Sequence, residues 1–465
     1  MKDLTLKRKA GLIIALLILI AMFIVPTPSG LTTAGMRALG CTLSMLVCLS
    51  TGALPLGLTS LIFMMFYYLL GATDSISTAL SGMSAPPVLF ILASFGMSAA
   101  VSESPISKRI MHFMLSVFGK STKIMILGIM LATAIISAFI SNVPVTAMFI
   151  TIGLSFLDLY KDEEARKKTG KSLMIAIPVA AMIGGIMTPV GSSPNLVAIS
   201  TLQEMTGYEI TFIQWVVYGV PIAIVLLPLA WLLITKIFPP VELEDDLFQE
   251  FVSATKVDAK VNSQELKVII IMGAMIVLWF MSSWVSGINL YVVGVLGVAA
   301  MFIPGINVLN WDSFMKSANW NVVLVTASVI SLGSVISESG LSTWFVDAVF
   351  PADMDLPTMA VVFITAIFVI VMLLIIPISG ALIQVLASPL ILVAGNCGIA
   401  PVILIITLCF CATNCYLLPI DTVPLLAHGT GYFQMTDMPK VTVFILLALA
   451  VLCSLWVPIA CGLIG

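Results

Sequence analysis

The sequence predicts an all-α polytopic membrane protein, with about eleven transmembrane helices and two re-entrant hairpins in an inverted repeat. Three observations carry that expectation. Hydrophobic residues fill 60% of the 465 positions and charged residues only 9%, against about 25% charged in soluble domains. Mean hydropathy is +1.17, and apolar runs near bilayer length recur along the whole chain. Lys and Arg fall on alternate connections between those runs.

Taken in order, the chain opens Met-Lys-Asp-Leu-Thr-Leu-Lys-Arg-Lys and enters an apolar run at 11–26. No small-residue cleavage site follows, so 1–33 is expected to hold a retained N-terminal helix. Further spans are expected near 34–50, 54–72, 86–104, 172–200, 215–236, 267–286, 289–304, 319–338, 401–427 and 440–463. Two apolar stretches, 123–160 and 358–395, are too long for one span and carry a polar break. Each fits a hairpin that dips in and returns to the same side, its tip resting on protein or water. With the N-terminus in the cytoplasm, the cytoplasmic segments hold nineteen of the 20 Lys and Arg, and only Arg37 falls outside. That asymmetry is the positive-inside bias, and counting either hairpin as one span would destroy it. The net charge of −3 offers no basic stripe for nucleic acid. Most of the eight cysteines sit in apolar runs, where they act as small hydrophobes.

The one long polar stretch, 237–266, reads as a cytoplasmic linker between repeat 1 (34–236) and repeat 2 (267–465). Ser-Glu-Ser occurs at 102–104 and again at 337–339. Each copy is followed by a hairpin with a serine at its break, Ser141 or Ser379, and then by a helix interrupted by proline. The interruptions are Thr188-Pro-Val-Gly-Ser-Ser-Pro-Asn195, within 172–200, and Leu418-Pro-Ile-Asp-Thr-Val-Pro-Leu425, within 401–427. The two halves begin on opposite membrane sides, and inverted repeats with paired broken helices point to a secondary transporter.

Chemistry is expected at the breaks. Pro144 frees backbone groups at the first tip, Ser137-Ala-Phe-Ile-Ser-Asn-Val-Pro144. Interrupted helices offer amide ends to anions and carbonyl ends to cations. Gly191 permits a close approach in the first broken helix. A turn that merely satisfies itself is the plainer alternative at either place. Thr146 and Gln384 each lie five residues after their tip serine and form a candidate pair near substrate; hydrogen bonding between helices explains them equally well. Glu103 and Glu338 are expected at helix ends facing water.

Ser141-Asn142 at a hairpin tip, followed by Thr-Pro-x-Gly-x-x-Pro-Asn over 188–195, resembles the divalent anion:sodium symporter family, transporters of succinate, malate, citrate and similar carboxylates. The likeness in plan covers nearly the whole chain. It implies a sodium site at Ser137, Ser141, Asn142 and Gly191. It implies substrate contacts at Asn142, Val143, Ser192 and Ser193, and on the second side at Ser379, Gly380, Ala381 and Thr422. It also implies a homodimer. The chain departs from the family where Val143 replaces Thr, Gly380-Ala381 replace Asn-Thr, Ile375 replaces a hydroxyl residue and Leu425 replaces Asn.

Asp421 stands where the family has a small residue. A carboxylate at membrane depth costs about 2.5–3.5 kcal/mol on insertion scales, so it invites a function. It is a candidate proton site or second-cation site, or a selector of substrates bearing an amine or hydroxyl; capping of broken backbone is the structural alternative.

The expected function is secondary active transport of small organic anions, di- or tricarboxylate-like, by alternating access across the cell (inner) membrane. Coupling to Na⁺, to protons or by exchange stays open, as does a different small solute such as a monocarboxylate, sulfate or amino acid. No cofactor beyond Na⁺ is expected. The rival classes fare worse. Gly-x-Gly-Asp, His-Glu-x-x-His and Gly-x-Ser-x-Gly are all missing from the sequence, so an enzyme is not expected. Gly119-Lys120-Ser121 and Gly170-Lys171-Ser172 mimic a phosphate loop but lack its earlier glycine.

Overall fold

The computed structural model describes residues 6–464 except 119–120, 255, 257–260, 286, 350–355 and 377. Gly119 and Lys120 therefore lie outside the described residues, as does the side chain of Gln384. Among the described residues there are twenty-two α-helices, one 3-10 turn and no strand. Six helices are long and apolar enough to cross a bilayer alone: Pro86–Glu103, Phe212–Ile237, Ser263–Met281, Trp320–Glu338, Ser379–Asn396 and Pro439–Ile464. Seven more are apolar but shorter.

The interruptions fall where proline and small polar residues break the apolar pattern. The 123–160 stretch forms two legs, Thr122–Ser137 and Asn142–Leu157, and the 358–395 stretch forms Thr358–Met372 and Ser379–Asn396. A leg of 16 residues rises about 24 Å, short of the roughly 30 Å hydrocarbon core. The first broken helix runs Glu163–Gly185 and resumes as Ser193–Thr206; the second runs Pro401–Thr413 and resumes as Thr422–His428. The former starts earlier than the apolar pattern because Asp162 caps it through the Glu164 and Ala165 N–H groups, with Glu163 and Glu164 in its first turn.

Two compact units arise, each threading three chain segments: 1–92 with 197–209 and 319–412, and 93–196 with 210–318 and 413–465. Each therefore draws on both sequence halves. In the first, Leu6–Ile24 packs on Thr33–Thr51, and Leu56–Leu69 packs on Trp320–Glu338. Glu338 lies at a helix end as expected, but it does more than meet water: Thr73 and Thr78 hydroxyls donate to its carboxylate at 2.8 and 3.2 Å. In the second, Glu163–Gly185 packs against both legs of the first hairpin and against Phe212–Ile237, which also carries Pro439–Ile464.

The start of the polar linker is bonded to the first hairpin. Glu242 accepts from the Thr122 N–H at 2.6 Å, and the Leu243 N–H donates to the Thr122 hydroxyl at 3.0 Å. Tyr160 donates to the Val241 carbonyl at 2.6 Å, and the Val241 N–H donates to Thr169 at 3.0 Å. Beyond it a helix, Asp245–Ala254, sets Phe248 and Phe251 edge-on against Phe156. Both legs of the first hairpin are thus tied at their bases to one short peptide. Sequence alone gave no sign of this, because the ties use isolated polar residues among charged ones.

Candidate functional site

The candidate site is built where the first hairpin tip meets the first broken helix, inside the second compact unit. The leg Thr122–Ser137 ends in a turn over 138–141, and Asn142–Leu157 starts at once. Pro144 occupies the first turn of the new helix, where a missing N–H forfeits no intrahelical bond. Ser141 precedes it at the N-cap position, its hydroxyl making no cap bond.

Asn142 and Ser137 are buried, at 6% and 0% exposure. The Ser137 hydroxyl donates to the Asn142 side-chain oxygen at 2.7 Å. That same terminal position of Asn142 lies 3.1 Å from the Ala181 carbonyl oxygen and 3.2 Å from that of Gly191. With the amide oxygen inward, four oxygens face one another. With the amide turned over, its two N–H donors face the other three oxygens. The Asn142 Nδ2 group, in the first orientation, points to the Ser192 hydroxyl at 3.5 Å.

Glycine makes the approach feasible. A Cβ on Gly191 would stand 2.7 Å from the Gly185 oxygen, 2.9 Å from that of Ser137 and 3.0 Å from that of Ala138. A Cβ on Gly185 would strike the Asn142 amide itself. The broken helix is then pinned to its surroundings carbonyl by carbonyl, as buried backbone requires. Gly184 O accepts from the Met187 N–H at 3.0 Å. Gly185 O and Thr188 O accept from the Asn195 amide at 2.7 and 2.9 Å. Ile186 O accepts from the Trp215 indole at 3.0 Å, and the Thr188 hydroxyl donates a short bond to Ala138 O.

The second broken helix reaches the same region. The Thr413 hydroxyl donates to the Asn195 side-chain oxygen at 3.4 Å. Asp421 is the N-cap of Thr422–His428, its carboxylate accepting from the Val423 N–H at 3.1 Å. That short helix packs against both Asn142–Leu157 and Glu163–Gly185. His428 rests edge-on against Phe433.

Of the expected residues, Ser137, Asn142, Gly191 and Ser192 come together, with Ser141 at the adjoining turn. Val143 and Ser193 are half-buried, one in each restarting helix, and Thr422 is exposed at the start of its own. Ser379, Gly380 and Ala381 open the helix Ser379–Asn396, which belongs to the first compact unit. Ser379 and Ala381 are buried, whereas a Cβ on Gly380 would meet open space. Thr146 is fully buried, and its hydroxyl has no hydrogen-bond partner among the described residues. Two contributors were given no role in the sequence reading. Asn195 carried a signal, an amide straight after a proline in an apolar helix. Trp215 carried none, since its role depends on a neighbour 29 positions away.

Short apolar half-helices, hairpins and a buried oxygen cluster define a polytopic membrane transporter. Residues 6–461 match the family described as the sodium:sulfate symporter transmembrane region, and the chain belongs to that family. Its members are transporters, not enzymes. The chain is 26% identical over 462 residues to the sodium-dependent dicarboxylate transporter SdcS of Staphylococcus saprophyticus, covering 93% of this chain and 87% of the relative. It is 25% identical to an uncharacterized transporter of Haemophilus influenzae, over 84% of each. The fold is similar to that of Neisseria gonorrhoeae MtrF, with a TM-score of 0.55 at 13% identity over 98% and 96% of the two chains. Alcanivorax borkumensis YdaH gives 0.56 at 13% identity over 98% of each.

Proposed function

We propose that the protein couples a Na⁺ ion, held by Ser137, Ser141, Asn142 and the Gly191 carbonyl, to the movement of a small carboxylate by alternating access. The observation that carries the cation is the convergence of three oxygens, Ser137 Oγ and the Ala181 and Gly191 carbonyls, on the Asn142 side-chain terminus at 2.7, 3.1 and 3.2 Å, where the amide nitrogen satisfies them in the ion-free form. Oxygens so spaced suit the shell of one hard cation of calcium-like radius, whose ligands lie at about 2.3–2.6 Å. With the cation bound, the Asn142 oxygen turns inward; without it, the amide rotates and its nitrogen satisfies the same acceptors. The ion thereby has a direct hold on the tip.

The carboxylate substrate is supported by relatives named sodium-dependent dicarboxylate transporters. Within the second compact unit it would meet Asn142, Val143, Ser192, Ser193 and Thr422. We place the halves as inverted repeats at 34–236 and 267–465, in a homodimer in the cell (inner) membrane with the N-terminus cytoplasmic. For Asp421 the cap geometry favours a structural duty over proton carriage or a second cation.

The test is uptake of radiolabelled succinate by proteoliposomes under an imposed Na⁺ gradient. Accumulation that needs inward Na⁺ is expected. Equal uptake with K⁺ in place of Na⁺, or uptake driven by a pH gradient alone, would remove the cation from the mechanism.

A further inference from the structure

We infer that Asn195 is a positioning residue that sets the shape of the cation loop and transmits that shape to the second broken helix. The inference rests on the Na⁺ reading above and goes beyond it by naming a residue that touches neither ion nor substrate.

Asn195 is fully buried. An uncharged amide offers two N–H donors and an oxygen acceptor, and the structure employs each of them. The nitrogen donates to Gly185 O and Thr188 O, the two carbonyls that flank the turn leading to Gly191. The oxygen accepts from Thr413, the last residue of Pro401–Thr413 before the second break. The backbone N–H of Asn195 closes the other side of the loop on Ser192 O at 3.1 Å. One side chain therefore fixes the width of the 185–191 loop and anchors it to a segment from the other half of the sequence.

The Gly185 carbonyl matters doubly, because it stands nearest to where a Gly191 side chain would be. Any drift of Gly185 O changes how closely Gly191 approaches Ser137, Ala138 and the Asn142 amide. Occupancy of the cation cluster and the position of residues 413–421 are thus expected to be coupled through Asn195, each biasing the other.

The test is a Na⁺ titration of thermal melting on purified full-length protein, with choline as the control cation. Wild-type protein is expected to melt later as Na⁺ rises. In Asn195→Ala the half-saturating Na⁺ concentration is expected to rise about ten- to hundred-fold, the usual range for groups that orient an ion's ligands. Thr413→Val keeps both donors of Asn195 and removes the hydroxyl that links it to the second break; a rise of about threefold is expected. A lower melting temperature with an unchanged half-saturating concentration in Asn195→Ala makes the residue merely structural and overturns the inference. If that variant does not fold, Thr413→Val decides alone, and an unchanged titration overturns it. Absence of any Na⁺ response in the wild type defeats the sodium reading as well, which separates the two failures.

Discussion

Replacing Gly191 by alanine is the most direct test of the oxygen cluster. The added methyl carbon would meet three carbonyl oxygens at 2.7, 2.9 and 3.0 Å, where ordinary contact begins at 3.4 Å. All three are backbone atoms, so none can swing aside as a flexible side chain would. Relieving the shortest contact demands a shift of about 0.7 Å, more than the roughly 0.5 Å that a binding constellation tolerates. Overpacking of this kind costs about 1–3 kcal/mol. Borne by the ion-bound form, that cost lowers Na⁺ affinity about 5- to 150-fold. The assay is the Na⁺ dependence of both thermal melting and succinate uptake. A Gly191→Ala protein whose half-saturating Na⁺ stays within about twofold of wild type would refute the placement of Gly191 in the cluster.

Two further outcomes are expected. Asparagine caps a helix as well as aspartate does, so Asp421→Asn keeps uptake and its pH profile; retained substrate binding with a lost pH response would instead assign Asp421 a proton. At Asp437, burial works to raise the carboxyl, but hydrogen bonds from Lys171, Lys440 and the Gln434 N–H outweigh it and hold the pKa at about 2. A carboxylate lowered on folding stabilises the fold above its free pKa of about 3.9, and that stabilisation disappears as pH falls toward 2. Melting temperature should therefore drop between about pH 4 and pH 2, and Asp437→Asn should flatten that drop; an unaltered slope would show the Lys171–Asp437–Lys440 cluster to be inert.

Much of the fold was legible because lipid punishes unpaired backbone and exposed charge. Apolar length placed the helices, and proline and small polar residues placed the breaks. At the site, Ser137, Asn142 and Gly191 were legible through hairpin chemistry and resemblance. What stayed hidden depends on contacts between residues remote in sequence. The linker's grip on Thr122, Tyr160 and Thr169 is one case. Trp215 holding Ile186 O is another. The cap made by Asp421 was hidden for a related reason: nothing in the sequence shows that the Val423 N–H points at its carboxylate.

The bond between Asn195 and Thr413 spans 218 positions, and that interval has a meaning during synthesis. At ribosomal rates of about 5–20 residues per second, the amide waits roughly ten to forty seconds for its partner. Over that time the nascent first half sits in lipid with its central loop half-tethered. Only the late arrival of Thr413 completes the bonds of the Asn195 side chain, so this link between the two halves of the sequence is among the last to form.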